Sequence, residues 1–251
     1  MNGQKVVLVT GASGHLGTAI AHACAEQGWS VAVHYRYSSE RAERLVQQLR
    51  SEGTDAIAVQ GDLAADAPSA QRIVDEVVNR LGRLDALVNN SADQSLSALM
   101  DLTDEDWQRV LEANVIAATR VTRAALGVLT PGSSIVNVSS VEGSSAFPNH
   151  AHYAASKAAL ESFTRSLALE LGPRGIRANA IAPGLIEREG LATNWPQGHA
   201  WWSQSPPIGR PVTAQEVAAA ATFLMSDSAS GITGVVLPVD GGWSASARTP
   251  F

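Results

Sequence analysis

The sequence is short of several things at once. It has a single cysteine, Cys24, and one thiol cannot close an internal disulfide, which removes the secreted disulfide-scaffold class. Eighteen Lys plus Arg stand against 24 Asp plus Glu, for a formal net charge of −6. No basic block of five or more residues occurs, so the footprint of a nucleic-acid binder is missing. No apolar run approaches the roughly 18 residues of a membrane span, and no apolar core of signal-peptide length opens the chain. The expectation is a soluble, cytoplasmic protein that engages neither nucleic acid nor membrane. Lysine is nearly absent too. Lys5 and Lys157 are the only two, in a composition whose arginine and alanine content suits high-GC codon usage.

What is present is a chain of 251 residues, 45% hydrophobic and 17% charged. That length buries roughly 70–75% of the unfolded surface. Short β-branched runs recur at Lys5–Thr10, Ser30–Tyr35, Asp55–Gln60, Asp85–Asn89, Ser133–Ser139, Ile176–Ile181 and Gly234–Val239. They are apolar on both faces, as strands covered by helices on each side must be. Helical patterns fall between them, near 15–27, 39–52, 67–81, 104–129, 152–172 and 214–225, with Ser39 and Thr103 as N-caps. Strict alternation predicts an α/β, Rossmann-like, doubly wound sheet of seven parallel strands with helices on both faces. No linker or repeat divides it, so residues 1–251 read as one domain, with 186–211 as a lid.

Ligands of such sheets lie outside the carboxyl ends of the strands. There the sequence places Thr10-Gly11, Tyr35-Arg36, Gly61-Asp62, Asn89-Asn90, Ser139-Ser140 and Ala182-Pro183-Gly184. Six small or polar strand ends on one edge suit an extended ligand. The first strand runs into TGASGHLG (Thr10–Gly17) and then a helix, whose N–H groups and dipole favour a pyrophosphate. The second strand ends in His34-Tyr35-Arg36-Tyr37-Ser38-Ser39, with no carboxylate to grip a ribose 2′-hydroxyl. Arg36 can bind a 2′-phosphate bidentately and Ser38 can donate to it, which favours NADPH over NADH. A solvated turn arginine is the plainer alternative.

Tyr153 and Lys157 are four apart on one helix and share a face. A phenol of pKa about 10 is a poor acid–base at neutral pH unless a neighbouring cation, or the positive charge of an oxidised nicotinamide, favours its ionised form. Ser140 ends a strand 13 residues earlier, and Asn114 falls on the apolar seam Trp107–Leu111–Asn114–Ala118–Val121, where a buried amide must find partners. Each of these also has an ordinary structural explanation. Together they are hard to assign to chance.

Jointly, TGASGHLG, Asp62, NNSA (Asn89–Ala92), Asn114, Ser140, YAASK (Tyr153–Lys157), IAPG (Ile181–Gly184) and GVVLPVDGGW (Gly234–Trp243) resemble the short-chain dehydrogenase/reductase family over essentially the whole chain. The resemblance implies a catalytic tetrad of Asn114, Ser140, Tyr153 and Lys157. Ser140 would orient the carbonyl, and Tyr153 would pass the proton. Lys157 would bind the nicotinamide ribose and lower the tyrosine pKa, and Asn114 would hold a relay water. It further implies that Asp62 meets the adenine, Asn89 lines the cofactor cleft, and Gly184 with Ile186 flanks the carboxamide. The candidate cofactor set is completed by Gly11, Ser13, Gly14, His15, Leu16 and Gly17 of the turn. Tyr35, Arg36, Tyr37, Ser38, Leu63 and Pro183 join it. The family pattern is broken at three places: His15 replaces a glycine, Ser91 replaces an alanine, and Arg188 stands nearest the place of a lost threonine.

The leading expectation is an NADPH-dependent ketoreductase that assembles as a homotetramer. A pteridine-type or 3-oxoacyl reductase is the nearest alternative, and a non-catalytic dinucleotide sensor is the alternative of another class. Ala182–Pro196 is similar to the lids of ketoreductases acting on angucycline-type aromatic polyketides in antibiotic biosynthesis. The lid also holds Trp195, Trp201 and Trp202, three of the six tryptophans. Flat polycyclic ketones would then meet Ser91, Glu142, Leu191, Ala192, Trp195 and Trp202. Thr193 would help set the face of attack.

Overall fold

The seven apolar runs fold as β1 (Val6–Val9), β2 (Ser30–Tyr35), β3 (Ala56–Gln60), β4 (Ala86–Asn89), β5 (Ser134–Val138), β6 (Arg177–Pro183) and β7 (Val236–Val239). All pair in parallel, in the order β3-β2-β1-β4-β5-β6-β7. The computed structural model describes residues 3–246; the ends of the expected 1–251 domain lie outside the described residues.

Side chains alternate across a strand, and β1 shows what that does. Val7 and Val9 enter a core shared with α1 (His15–Glu26), α2 (Ser39–Ser51) and α9 (Ala214–Met225). Val6 and Leu8 enter the opposite core, under α3 (Ala67–Leu81), α5 (Ala117–Ala125) and α6 (Ala151–Leu171). Among the described residues, no helix is long and apolar enough to cross a membrane.

The expected helix 104–129 is not continuous. α4 (Asp104–Leu111) passes into a π-helical turn, Glu112–Ile116, before α5. A 3.6-residue apolar period carries no mark of one extra residue in a turn, and such turns gather at functional sites. Thr103 caps α4 through a reciprocal box with Asp106. Ser39, expected as a cap, is instead the first residue of α2, and Ser38 holds the cap position without a side-chain bond. The lid carries two short helices, α7 (Leu191–Asn194) and α8 (Pro196–Gln204).

Strand order reverses between β1 and β4, and the crevice opens at their carboxyl ends. Thr10 Oγ1 closes its base by accepting from the amides of Asn90 and Ser91, while Asn90 Nδ2 donates to the carbonyls of Thr10 and Gly11.

Candidate active site

The glycine turn leaves β1 through Gly11, whose φ of +61° excludes most side chains; an added Cβ would also come within 3.1 Å of the Ser91 Cα. Helix α1 starts at Gly14 with no side-chain cap and no acidic residue in its first turn. Asp66, Thr103 and Thr213, by contrast, cap α3, α4 and α9. Among the described residues, the first N–H groups of α1 therefore have no side-chain cap and no acidic residue in their own turn, and a pyrophosphate fits there. Ser13 and Leu16 are half-buried and Gly17 is buried in this turn.

Arg36 leaves the end of β2 with its guanidinium 2.8 Å from the Asp62 carboxylate and 4.5 Å from the centre of the Tyr37 ring. Tyr37 and Ser38 are exposed beside it. This cluster offers a cation, a hydroxyl and an aromatic face, which suits an adenosine 2′-phosphate. Two expectations at this edge need correction. Tyr35 turns its side chain into the core under α1 and α2, and Leu63 is buried in the opposite core, so what they can present to a cofactor is backbone.

Asn89 is a third correction. Its amide does not line the cleft but donates to Thr122 Oγ1 and Asn137 Oδ1, in a buried ladder that continues from Asn137 to Thr164. Its Nδ2 is thus paired inward, while the buried Oδ1 has no partner among the described residues.

Asn114 lies in the π turn and is 1% exposed. Its Oδ1 accepts from the Asp93 amide, and its Nδ2 donates to the Asp93 carbonyl and to Ser156 Oγ. The side chain is spent on holding the loop after β4 against α6. The relay water expected at Asn114 would have to compete with these bonds for the side chain.

Ser140 lies two residues beyond β5 and caps a short turn, with its Oγ accepting from the Glu142 amide at 3.2 Å. A hydrogen bond links it to the Tyr153 hydroxyl. Tyr153 is buried, and that burial raises its pKa, with the Glu142 charge adding to the effect and the Ser140 bond opposing it. Lys157 Nζ donates to the Val138 carbonyl and sits 5.5 Å from the centre of the phenol ring. Burial pulls its pKa down to about 8. The expected lowering of the tyrosine pKa by lysine is thus absent from the protein alone. The phenol is held protonated, which is the form a proton donor needs.

Gly184 follows β6, and Ile186 bridges to Val212 at the base of the lid. Pro183 is the last residue of β6, two beyond the expected strand end. His15 Nε2 donates to the Glu187 carbonyl, and the Glu187 carboxylate meets His199 Nε2 at 2.8 Å, tying the glycine turn to α8. Arg188, nearest the missing threonine, is exposed. Trp202 is not a free wall. It is 4% exposed, stacks on Trp243 at 5.2 Å and packs beside Phe147, so it pins the lid to the body. Leu191 is buried, whereas Ala192, Thr193, Trp195 and Trp201 are exposed. Ser91 and Glu142 are half-buried next to the catalytic edge.

A family described as enoyl-(acyl carrier protein) reductase matches residues 11–244. The fold agrees with that of a short-chain dehydrogenase from Burkholderia cenocepacia in complex with NADP, with a TM-score of 0.89 and 35% identity over 97% of this chain and all of the other. The chain belongs to the short-chain dehydrogenase/reductase family. As a member of it, this oxidoreductase is 36% identical to versicolorin reductase 1 of Aspergillus parasiticus over 95% of both chains. It is equally similar to a 3-oxoacyl-(acyl-carrier-protein) reductase of Staphylococcus aureus, across 96% of this chain and 99% of that one.

His34, Asn90 and His150 also shape this site, in parts that no motif of the sequence assigns to them. His34 takes the Gly11 amide on Nδ1 and donates from Nε2 to the Gly61 carbonyl, so it fixes the glycine turn to the end of β3. A lone histidine in an apolar strand gives no local sign of that. Asn90 reads as a polar strand end, but its bonds to Thr10 and Gly11 leave no mark in the sequence.

Proposed function

We propose that this short-chain dehydrogenase/reductase reduces a ketone with NADPH. The observation that carries the reading is the conjunction of a protonated, buried Tyr153 with Ser140 at hydrogen-bond distance and Lys157 one turn on. NADPH, when bound, supplies the hydride. Ser140 and Tyr153 then both point donors at the carbonyl oxygen, and Tyr153 passes its proton to the growing alkoxide. Lys157 is the cation that stabilises the phenolate left behind, and it must leave the Val138 carbonyl or share it to do so. Asn114 keeps α4, the π turn and α6 in register. Arg36, with Tyr37 and Ser38, receives the 2′-phosphate. The whole chain acts as one NADP(H)-binding unit, with 186–211 closing over the substrate.

The substrate in this reading is flat and polycyclic, of the angucycline-type aromatic polyketide class. Support comes from the exposed indoles of Trp195 and Trp201 on the lid, each about half accessible, and from the similarity to a versicolorin reductase. Steady-state kcat/KM for a polycyclic quinone–ketone, compared with acetoacetyl thioesters, small aliphatic ketones and dihydropterins, tests it. Preference for the small substrates overturns the polycyclic class and leaves a general reductase. Cofactor binding without turnover on any of them overturns the reductase.

The enzyme assembles as a homotetramer in the same reading. Leu169 on α6, Phe223 on α9 and Val235 beside the edge strand β7 are apolar and exposed, the first at 80%. A 26 kDa species in sedimentation at micromolar concentration would reject it.

A further inference from the structure

One ionisable pair reaches the catalytic edge without a part in proton transfer. Glu142 lies two residues beyond Ser140 and gives its amide to the Ser140 hydroxyl. His150 precedes Tyr153 by one turn, with its ring centre 4.8 Å from that of the phenol. The carboxylate oxygens of Glu142 are 2.9 and 3.0 Å from His150 Nδ1, and His150 Nε2 faces the Gln94 carbonyl at 3.3 Å. Both side chains are 15% accessible, open to a ligand yet largely withdrawn from water.

The partners decide the charge state. A carboxylate and a carbonyl are both acceptors, so both imidazole nitrogens must donate, and His150 is an imidazolium. Burial opposes that charge, while the Glu142 bond and charge and the Gln94 carbonyl outweigh it and raise the pKa; the Tyr153 phenol, 4.8 Å away ring to ring, and His152 are the further titratable groups beside it. An imidazolium accepts nothing. In the proposed reaction Ser140 and Tyr153 turn their hydroxyl protons to the carbonyl. The remaining lone pairs of Glu142 add a charged acceptor to this corner, tied to Ser140 through the Glu142 amide and to Tyr153 through His150.

We propose that Glu142 accepts a hydrogen bond from a hydroxyl that the substrate carries near its reacting carbonyl, with His150 as the positioning residue that aims the carboxylate. Two donors and one acceptor in a single corner complement a hydroxy-ketone, and a phenolic one where the polycyclic reading holds. The inference rests on that reading only for where the carbonyl sits. A carboxylate also repels an anionic group at the same place, so carboxylated analogues are disfavoured.

The probes are 1-tetralone and its 5-, 6-, 7- and 8-hydroxy isomers, bound to the enzyme–NADP complex and followed by tryptophan fluorescence. At least one isomer is expected to bind about tenfold or more tighter than 1-tetralone, the scale of a charge-assisted hydrogen bond. In Glu142→Gln that ratio falls to within about threefold of unity. NADP affinity in the same samples reports folding. His150→Phe keeps an aromatic ring on Tyr153 but loses the aim of the carboxylate, and lowers the ratio as well. Absence of any preferred isomer in the native enzyme, or a preference that survives both substitutions, overturns the inference. Turnover with NADPH separates the two readings: a preference in binding with no reduction sinks the ketoreductase and leaves the hydroxyl site, and reduction without preference does the reverse.

Discussion

Arg36 and Asp62 form an ion pair, 2.8 Å apart, across the carboxyl ends of the adjacent strands β2 and β3. Asp62 accepts from the Ala64 amide as well, so the carboxylate is held and the more exposed guanidinium is the mobile partner. At a half-exposed site such a pair contributes little to stability. In the proposed reading it holds a cation in place for an incoming phosphate.

Arg36→Ala is therefore expected to raise KM for NADPH by about tenfold or more, the scale of one charge-assisted contact, and to leave KM for NADH nearly unchanged. Steady-state kinetics with both cofactors checks this. Equal use of the two by the native enzyme, with no effect of the substitution, would reject the 2′-phosphate site.

In the proposed reaction Tyr153→Phe removes the proton donor and little else. The ring and its packing against His150 remain, and the hydrogen bond to Ser140 is lost. A loss of about 10²–10⁴ in kcat is expected, with NADPH affinity within about threefold of the native value. Retained activity would put the proton transfer elsewhere.

Lys157 is expected to cost the cofactor-free enzyme stability. Its folded pKa is about 8, against an ordinary value of 10.5. Between those values the unfolded chain holds a proton that the folded chain has released, so this residue's contribution becomes less unfavourable as pH rises from 8 towards 10.5. Lys157→Met should stabilise the cofactor-free protein at pH 7 by on the order of 1–3 kcal/mol while abolishing turnover and weakening NADPH binding. The gap between native and variant stability should shrink from pH 8 to 10. Cys24 and Tyr153 also titrate abnormally, both upward, and cancel in that difference. Urea unfolding of both proteins at several pH values measures it, and a gap that does not change with pH refutes the argument.

How far the sequence reveals this molecule depends on the range of the physics. The strands are legible because a sheet covered on both faces demands continuous apolar runs, and Val6–Val9 or Ser30–Tyr35 can serve little else. Tyr153 and Lys157 are legible because helical spacing alone puts them on one face. The π turn at Asn114 is not, since it depends on bonds to Asp93 and Ser156 from other elements. Nor is the fate of Trp202: whether an indole lines a pocket or stacks on Trp243 is decided by chain segments that meet only in the fold. The same holds for Lys157, whose bond to the Val138 carbonyl replaces the expected influence on the phenol.

His34 gives the last prediction, and it concerns acid. It is 2% exposed, takes the Gly11 amide on Nδ1 and gives Nε2–H to the Gly61 carbonyl, an arrangement open only to the neutral ring. Burial drives its pKa down to about 4, against the opposing pull of the Gly61 bond and the Asp62 charge. The folded value lies below the unfolded one of 6.5, so between the two it is the unfolded chain that gains the proton. The associated stability is present above pH 6.5 and is lost as pH falls towards 4. From pH 7 to 4.5 the loss amounts to roughly 2–3 kcal/mol. His34→Asn keeps a donor and an acceptor but cannot titrate, so its urea-unfolding free energy should fall less over that interval. Because His34 holds Gly11, the substitution should also raise the NADPH dissociation constant more than it changes kcat. An identical acid loss in native and variant protein would show that the ring is not the group that titrates.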